Sequence, residues 1–258
     1  MPDAAQPVTV PMHLDHGVIF FEASVDGQGP FAFILDPGAA GVITSDTIGR
    51  LGLHQSAEAA ELDISIGTAD IGRFALPILP GDGTELYPKR DPAGPLIAGA
   101  LGPEILNHFA LRLDYGANTL TFTALEKFKY QGNGKALPIV FHDVIPLVSA
   151  SVDGVSGLLA YDIRAPGKVL LFHPFLAQHD FLTRYGAEPD AAHPTVPETL
   201  HSLEVAGVVL KDQPANFGGF TDGKFAATDE AGLLGYQVLS QFVTTLDYRD
   251  RLIYFEHP

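Results

Sequence analysis

The sequence predicts a mostly β protein of two similar lobes, and three observations carry that expectation. Runs of Val, Ile, Phe and Leu recur along the chain and are punctuated by turn residues. Two Asp-Gly pairs, Asp26-Gly27 and Asp153-Gly154, sit between such runs as two-residue hairpin loops do. The chain is also one unit written twice. Its 258 residues suffice for one large domain, or for two lobes of about 120 residues that each bury a core.

The repeat is plainest near the end of each unit. AGALGPEILNHFALRLDYGANTLTF (98–122) aligns without a gap on AGLLGYQVLSQFVTTLDYRDRLIYF (231–255). Gly99, Leu101, Gly102, Leu106, Phe109, Leu113, Asp114, Tyr115 and Phe122 recur as Gly232, Leu234, Gly235, Leu239, Phe242, Leu246, Asp247, Tyr248 and Phe255. Upstream, EASVDGQGPFAFILDPGAAGVIT (22–44) matches SASVDGVSGLLAYDIRAPGKVLL (149–171) after one deletion, which sets Asp36 opposite Asp162 and Gly41 opposite Gly167. The first lobe is therefore expected over 1–126 and the second over 139–258. KFKYQGNGKALP (127–138), polar and glycine-containing, is expected to link them.

Short helices are expected at 45–51, where Ser45 can cap, and at 103–109, where Pro103 suits the first helical position. Their counterparts fall at 174–181 and 236–242. The strand FAFIL runs into Asp36 and breaks on Pro37 and Gly38; alone, that is an ordinary strand-end turn. Its recurrence as GLLAYD, ending on Asp162, gives the aspartate a second meaning.

Composition excludes several function classes. Lys+Arg 15 against Asp+Glu 31 gives a formal net charge of −16, which opposes binding to nucleic acid or an anionic membrane. Cysteine is absent, so disulfides, thiolate catalysis and Cys-ligated zinc are excluded together. No apolar run approaches a membrane span, and the first residues lack a basic start, apolar core and cleavage pattern. A cytoplasmic protein and a mature exported one both fit, with periplasm or secretion expected if a leader was removed.

An apolar strand, Asp, a small turn, an apolar strand and then Leu-Gly leading into a short helix, all of it duplicated, resembles the pepsin/retropepsin-like aspartic peptidases. It looks more closely like the bacterial aspartyl-protease family, in which FILD-type strands precede T-G-A and each lobe ends in L-G-x-x-x-L-x-x-F…D-Y. The resemblance implies a bilobal pepsin-like (acid protease) fold: two pseudo-symmetric retropepsin-like β-barrel lobes with short helices, facing each other across a cleft. It implies Asp36 and Asp162 as a catalytic pair, and Gly38, Ala39, Arg164 and Ala165 as their substrate-binding neighbours. A monomer with a peptide or protein partner, no cofactor and no metal is implied with it.

The sequence departs from that family at the residues serving the chemistry. The family motif is Asp, then Thr or Ser, then Gly, then Ala or Ser. Here the first copy is Asp36-Pro37-Gly38-Ala39, which loses both hydroxyl and N–H at Pro37. The second is Asp162-Ile163-Arg164-Ala165, with no hydroxyl at Ile163 and a long side chain in place of glycine. Arg164 would be costly at a positive φ, and a guanidinium turned toward either aspartate would hold it ionised. Between Leu53 and the strand LDISIG, residues 54–61 are too few for a flap hairpin, and Tyr87 is a poor flap tyrosine; 183–200 offers more room for a lid. The expectation is an aspartic-peptidase-like protein that binds an extended peptide or partner protein without efficient catalysis. The alternative is an active aspartic endopeptidase using Asp36 and Asp162 at acid pH, and a third reading is a structural or inhibitory protein with its cleft closed.

Other constellations carry less. His13 and His16 lie in an extended segment that sends odd-spaced residues to opposite faces. Gly154-Val155-Ser156-Gly157 misses the nucleophile-elbow spacing, and Gly132-Asn133-Gly134-Lys135 misses that of a phosphate loop. Asp114-Tyr115 and Asp247-Tyr248 read as structural pairs on terminal strands.

Overall fold

A computed structural model of the protein describes residues 6–53, 58–87, 96–165 and 167–257. It divides into two compact units, one of Met1–Gln131 with Thr245–Asp250, the other of Gly132–Thr244 with Arg251–Pro258.

The first unit opens with β1 (Val8–Asp15), β2 (Val18–Val25) and β3 (Gln28–Leu35). Then come β4 (Val42–Thr44), α1 (Ser45–Arg50), β5 (Ala59–Ile66) and β6 (Ala69–Leu79). It continues through β7 (Ile97–Leu101), α2 (Pro103–Leu106), β8 (Phe109–Asp114) and β9 (Thr119–Ala124). Strands pair in the order β2-β3-β7-β4-β6-β5, and β5 pairs back onto β2, closing a six-strand barrel. β3 and β7 run parallel, as do β4 and β6, so neither pair is a hairpin and each needs a crossover.

The second unit repeats the plan. Its elements are β10 (Lys135–Pro138), β11 (Val140–His142), β12 (Ile145–Val152), β13 (Val155–Tyr161) and β14 (Val169–Leu171). α3 (His173–Gln178), α4 (Phe181–Tyr185), β15 (Thr195–Val205) and β16 (Val208–Gly218) follow. β17 (Gly232–Leu234) and α5 (Tyr236–Leu239) lead to β18 (Val243–Asp247) and β19 (Leu252–Glu256). The barrel order β12-β13-β17-β14-β16-β15 closes by pairing β15 with β12. Every parallel and antiparallel neighbour matches its first-unit counterpart.

Local chemistry explains the elements. Asp26-Gly27 and Asp153-Gly154 both take positive φ, 47° and 72° in the first and 47° and 84° in the second, the twist a two-residue hairpin needs. The end of β3, Phe33-Ile34-Leu35, is wholly buried, and Leu159-Ala160-Tyr161 ends β13 likewise at 7% exposure or less. Continuous apolar runs at these points suit strands covered on both faces. The helix at 45–51 forms, but Thr44 caps it: its Oγ1 accepts from Thr47 N at 3.3 Å, while Ser45 Oγ accepts from Gly81 N. α2 starts on Pro103 as expected and stops at Leu106, before Phe109 enters β8. The second-unit counterpart at 174–181 is two helices, α3 and α4, broken at Asp180 in the left-handed region.

Candidate active site

Each candidate aspartate sits one residue beyond a parallel ladder. Asp36 N donates to Leu101 O at 2.9 Å, extending the β3–β7 pairing, and Asp162 N donates to Leu234 O at 3.2 Å, extending β13–β17. The Leu-Gly that recurs in both copies follows from this register. A Cβ on Gly102 would lie 1.9 Å from Asp36 O, and one on Gly235 would lie 2.6 Å from Gly167 O, so each position excludes a side chain.

Both carboxylates then close the same kind of turn. Gly38 N donates to Asp36 Oδ1 at 3.2 Å, and Ala39 N reaches Asp36 O at 3.4 Å. In the second unit Arg164 N and Ala165 N donate to Asp162 Oδ1 at 3.0 and 3.1 Å. The four residues expected to bind substrate therefore all belong to the two aspartate turns, and three of them give a backbone N–H to the carboxylate. Arg164 is absent from the positive-φ residues, so its side chain costs the backbone nothing, and its N–H makes the bond expected of glycine. Asp36 is 8% exposed and Asp162 half-buried.

The second position of each turn keeps its departure. Pro37 is buried and offers only its carbonyl, which accepts from Tyr248 Oη at 3.1 Å within the first unit. Ile163 is 1% exposed and turned into the second core. Neither provides a hydroxyl.

Three supporting residues escaped the sequence reading. Tyr161, next to Asp162, is 1% exposed and hydrogen-bonded to Thr244 Oγ1 at 2.7 Å, with burial raising its phenol far above the ordinary range. Tyr248, which the sequence presents as half of a terminal-strand pair, reaches the Pro37 carbonyl. Glu104, partly buried on α2, accepts from Gly102 N at 2.5 Å and Gly41 N at 3.1 Å; burial raises its carboxyl, and the charge of Asp36 raises it further. A carboxylate two residues after Leu-Gly in one copy only was the available signal. The paired Asp114 and Asp247 are turn caps, accepting from Ala117 N and Asp250 N three residues on.

Residues 54–57 of the expected short flap segment lie outside the described residues. Tyr87 is 5% exposed in a cluster with Val18, Ile34, Ile97 and Ala100, and its Oη meets His16 Nδ1 at 3.0 Å. In the second unit 187–194 forms an irregular turn around Asp190, which accepts from Ala192 N and His193 N. A groove of about 950 Å³ runs along β1–β3 of the first unit past Met12, Phe20, Phe31 and Tyr87, and Asp36 is not among its walls. Among the described residues, His142, Asp229 and Glu230 could each offer a metal-ligand atom, all within 4.8 Å of one another. His142 Nδ1 is hydrogen-bonded to the buried Glu230.

Two closed six-strand barrels, each delivering an aspartate from the end of a parallel strand pair, make a bilobal pepsin-like fold with short helices. The aspartic proteinase from Irpex lacteus is similar in structure, with a TM-score of 0.61 over 98% of this chain and 97% of that one, at 11% sequence identity. At that identity the likeness shows the fold. No family model matches the sequence, and no curated protein matches it.

Proposed function

We propose that this is an aspartic-peptidase-like protein that binds an extended peptide or a partner protein where the family resemblance places a cleft, without efficient cleavage. The observation that carries this is the second position of each aspartate turn: Pro37 has neither hydroxyl nor N–H, and Ile163 is packed into the core at 1% exposure. Peptide hydrolysis by two aspartates needs carboxyls about 3 Å apart sharing one proton. One activates water while the other, protonated, acts on the carbonyl. In the family the missing hydroxyls tie the loops beneath that pair. An extended ligand is still recognised by backbone pairing to strand edges, which asks nothing of these two positions.

A specific observation favours the second reading, an active endopeptidase at acid pH. Both aspartates keep matching turns in which backbone N–H groups hold one carboxylate oxygen. The experiment is incubation with denatured casein from about pH 3 to about pH 7, beside Asp36→Asn and Asp162→Asn, with anisotropy of labelled casein peptides measured in parallel. Saturable peptide binding without cleavage is expected. Cleavage that disappears in both variants would replace the first reading by the second, and neither binding nor cleavage would remove both.

A further inference from the structure

The two aspartate loops are fastened to their following helices by different chemistry. In the second unit the clasp is backbone to backbone: Gly235 N donates to Lys168 O at 3.1 Å, Tyr236 N to Ala165 O at 2.8 Å and Gln237 N to Gly167 O at 3.0 Å. The first unit cannot repeat it, because Pro103 stands where Tyr236 does and has no N–H. Among the described residues no backbone hydrogen bond joins 39–41 to 102–104. Instead the Glu104 carboxylate spans the gap, one oxygen taking Gly102 N at 2.5 Å and the other Gly41 N at 3.1 Å. The residue matching Glu104 in the second copy is Gln237, which uses its backbone N–H for the same purpose.

The glycines corroborate this exchange. A Cβ on Gly41 would lie 2.3 Å from Glu104 Oε1, so the carboxylate occupies the space a side chain would need. A Cβ on the matching Gly167 would meet nothing within 4 Å. Two equivalent glycines thus have different reasons to be glycine, and only Gly41 is there to admit a carboxylate.

We propose that Glu104 is the positioning residue of the Asp36 loop, a side-chain clasp replacing the backbone clasp that holds the Asp162 loop. The clasp spans the Asp36 turn, since Gly102 packs against Asp36 O and Gly41 lies two residues beyond Ala39. Both bonds need acceptor oxygens, so the ionised carboxylate makes the full clasp and a protonated one gives up an acceptor site. The charge of Asp36 acts on Glu104 and disfavours its ionised form. None of this depends on whether the protein cleaves peptides or only binds them.

The test is residue-resolved amide exchange and amide proton shifts in the full chain. Glu104→Ala should speed exchange of Gly41 and Gly102 by roughly tenfold, the loss of one good hydrogen bond, and speed Gly38 with them, while amides of β3 and β7 stay as protected as in the wild type. Glu104→Gln keeps the volume but only one acceptor; the Gly41 proton shift, expected to titrate with pH in the wild type, should lose the part of that titration that comes from Glu104. Gln237→Ala should leave the Asp162 loop unchanged. Gly41→Ala should reproduce the loop opening of Glu104→Ala, and Gly167→Ala should be silent. Unchanged Gly41 exchange in both Glu104 variants overturns the proposal, as does acceleration spread evenly over the whole first unit, or a Gly41 shift that titrates equally in Glu104→Gln.

Discussion

At the scale of single residues, the two aspartate turns keep one pattern of backbone hydrogen bonds to the carboxylate while the residues around it differ. Arg164 has an ordinary backbone and donates its N–H to the Asp162 carboxylate, a bond that asks nothing of its own side chain. Pro37 and Ile163 are different, because neither side chain carries a hydroxyl and Pro37 has no N–H either. Tyr248 donates its buried hydroxyl to the Pro37 carbonyl. Tyr248→Phe should therefore destabilise the protein by about 1 kcal/mol, read as a lower midpoint in urea unfolding with an unchanged slope. Ile163→Thr would put a hydroxyl at a site 1% exposed. It should cost about 1–3 kcal/mol unless the hydroxyl finds a partner, and an unchanged urea midpoint would show that a partner is already in place.

At the scale of elements, repetition made the site legible. The strand-end aspartates, the Asp-Gly hairpins and the Leu-Gly before each helix could be read because two copies agreed, and each has a local steric or hydrogen-bonding cause. What could not be read were contacts made by one copy alone or between residues far apart in sequence. Glu104 has Gln237 as its counterpart, and Tyr248 reaches Pro37 from the far end of the chain. Thr44 and Ser45 both carry a capping hydroxyl, and only the position of Gly81 N decides which one caps. A second element-level contact has a testable pH dependence. His142, on β11, is hydrogen-bonded to Glu230 in the segment before β17, and that carboxylate raises the imidazole pKa. A raised folded value means that the stabilisation is fully present below the unfolded-state value of about 6.5 and is lost as pH rises through the folded one. Thermal melts across that range should show the wild type losing its advantage over His142→Gln as pH increases. A constant difference between them would assign the contact no proton-linked role. At the hairpins, Gly154→Ala should cost about 1 kcal/mol, because φ is 84° there and an L side chain is strained.

At the scale of the whole molecule, the two barrels share one strand order but the units divide the chain unequally: Thr245–Asp250, written in the second copy, belong to the first unit. Asp247 is 1% exposed there, and Arg249 donates to the carbonyl of Leu125. A chain ending at Thr244 should thus lose protection of first-unit amides, those of β3 included, in hydrogen exchange. Retained protection in β3 with loss confined to the second unit would show that the six residues are dispensable to the first. The net charge of −16 bears on a different property, since it repels polyanions at long range. The placement of residues 245–250 also orders events during synthesis. Domains generally fold from the N-terminus as they emerge from the ribosome. Here the first lobe lacks its last piece until residues 245–250 have been translated, after residues 132–244 of the second unit, so the first half of the repeat cannot be completed before most of the second has been made.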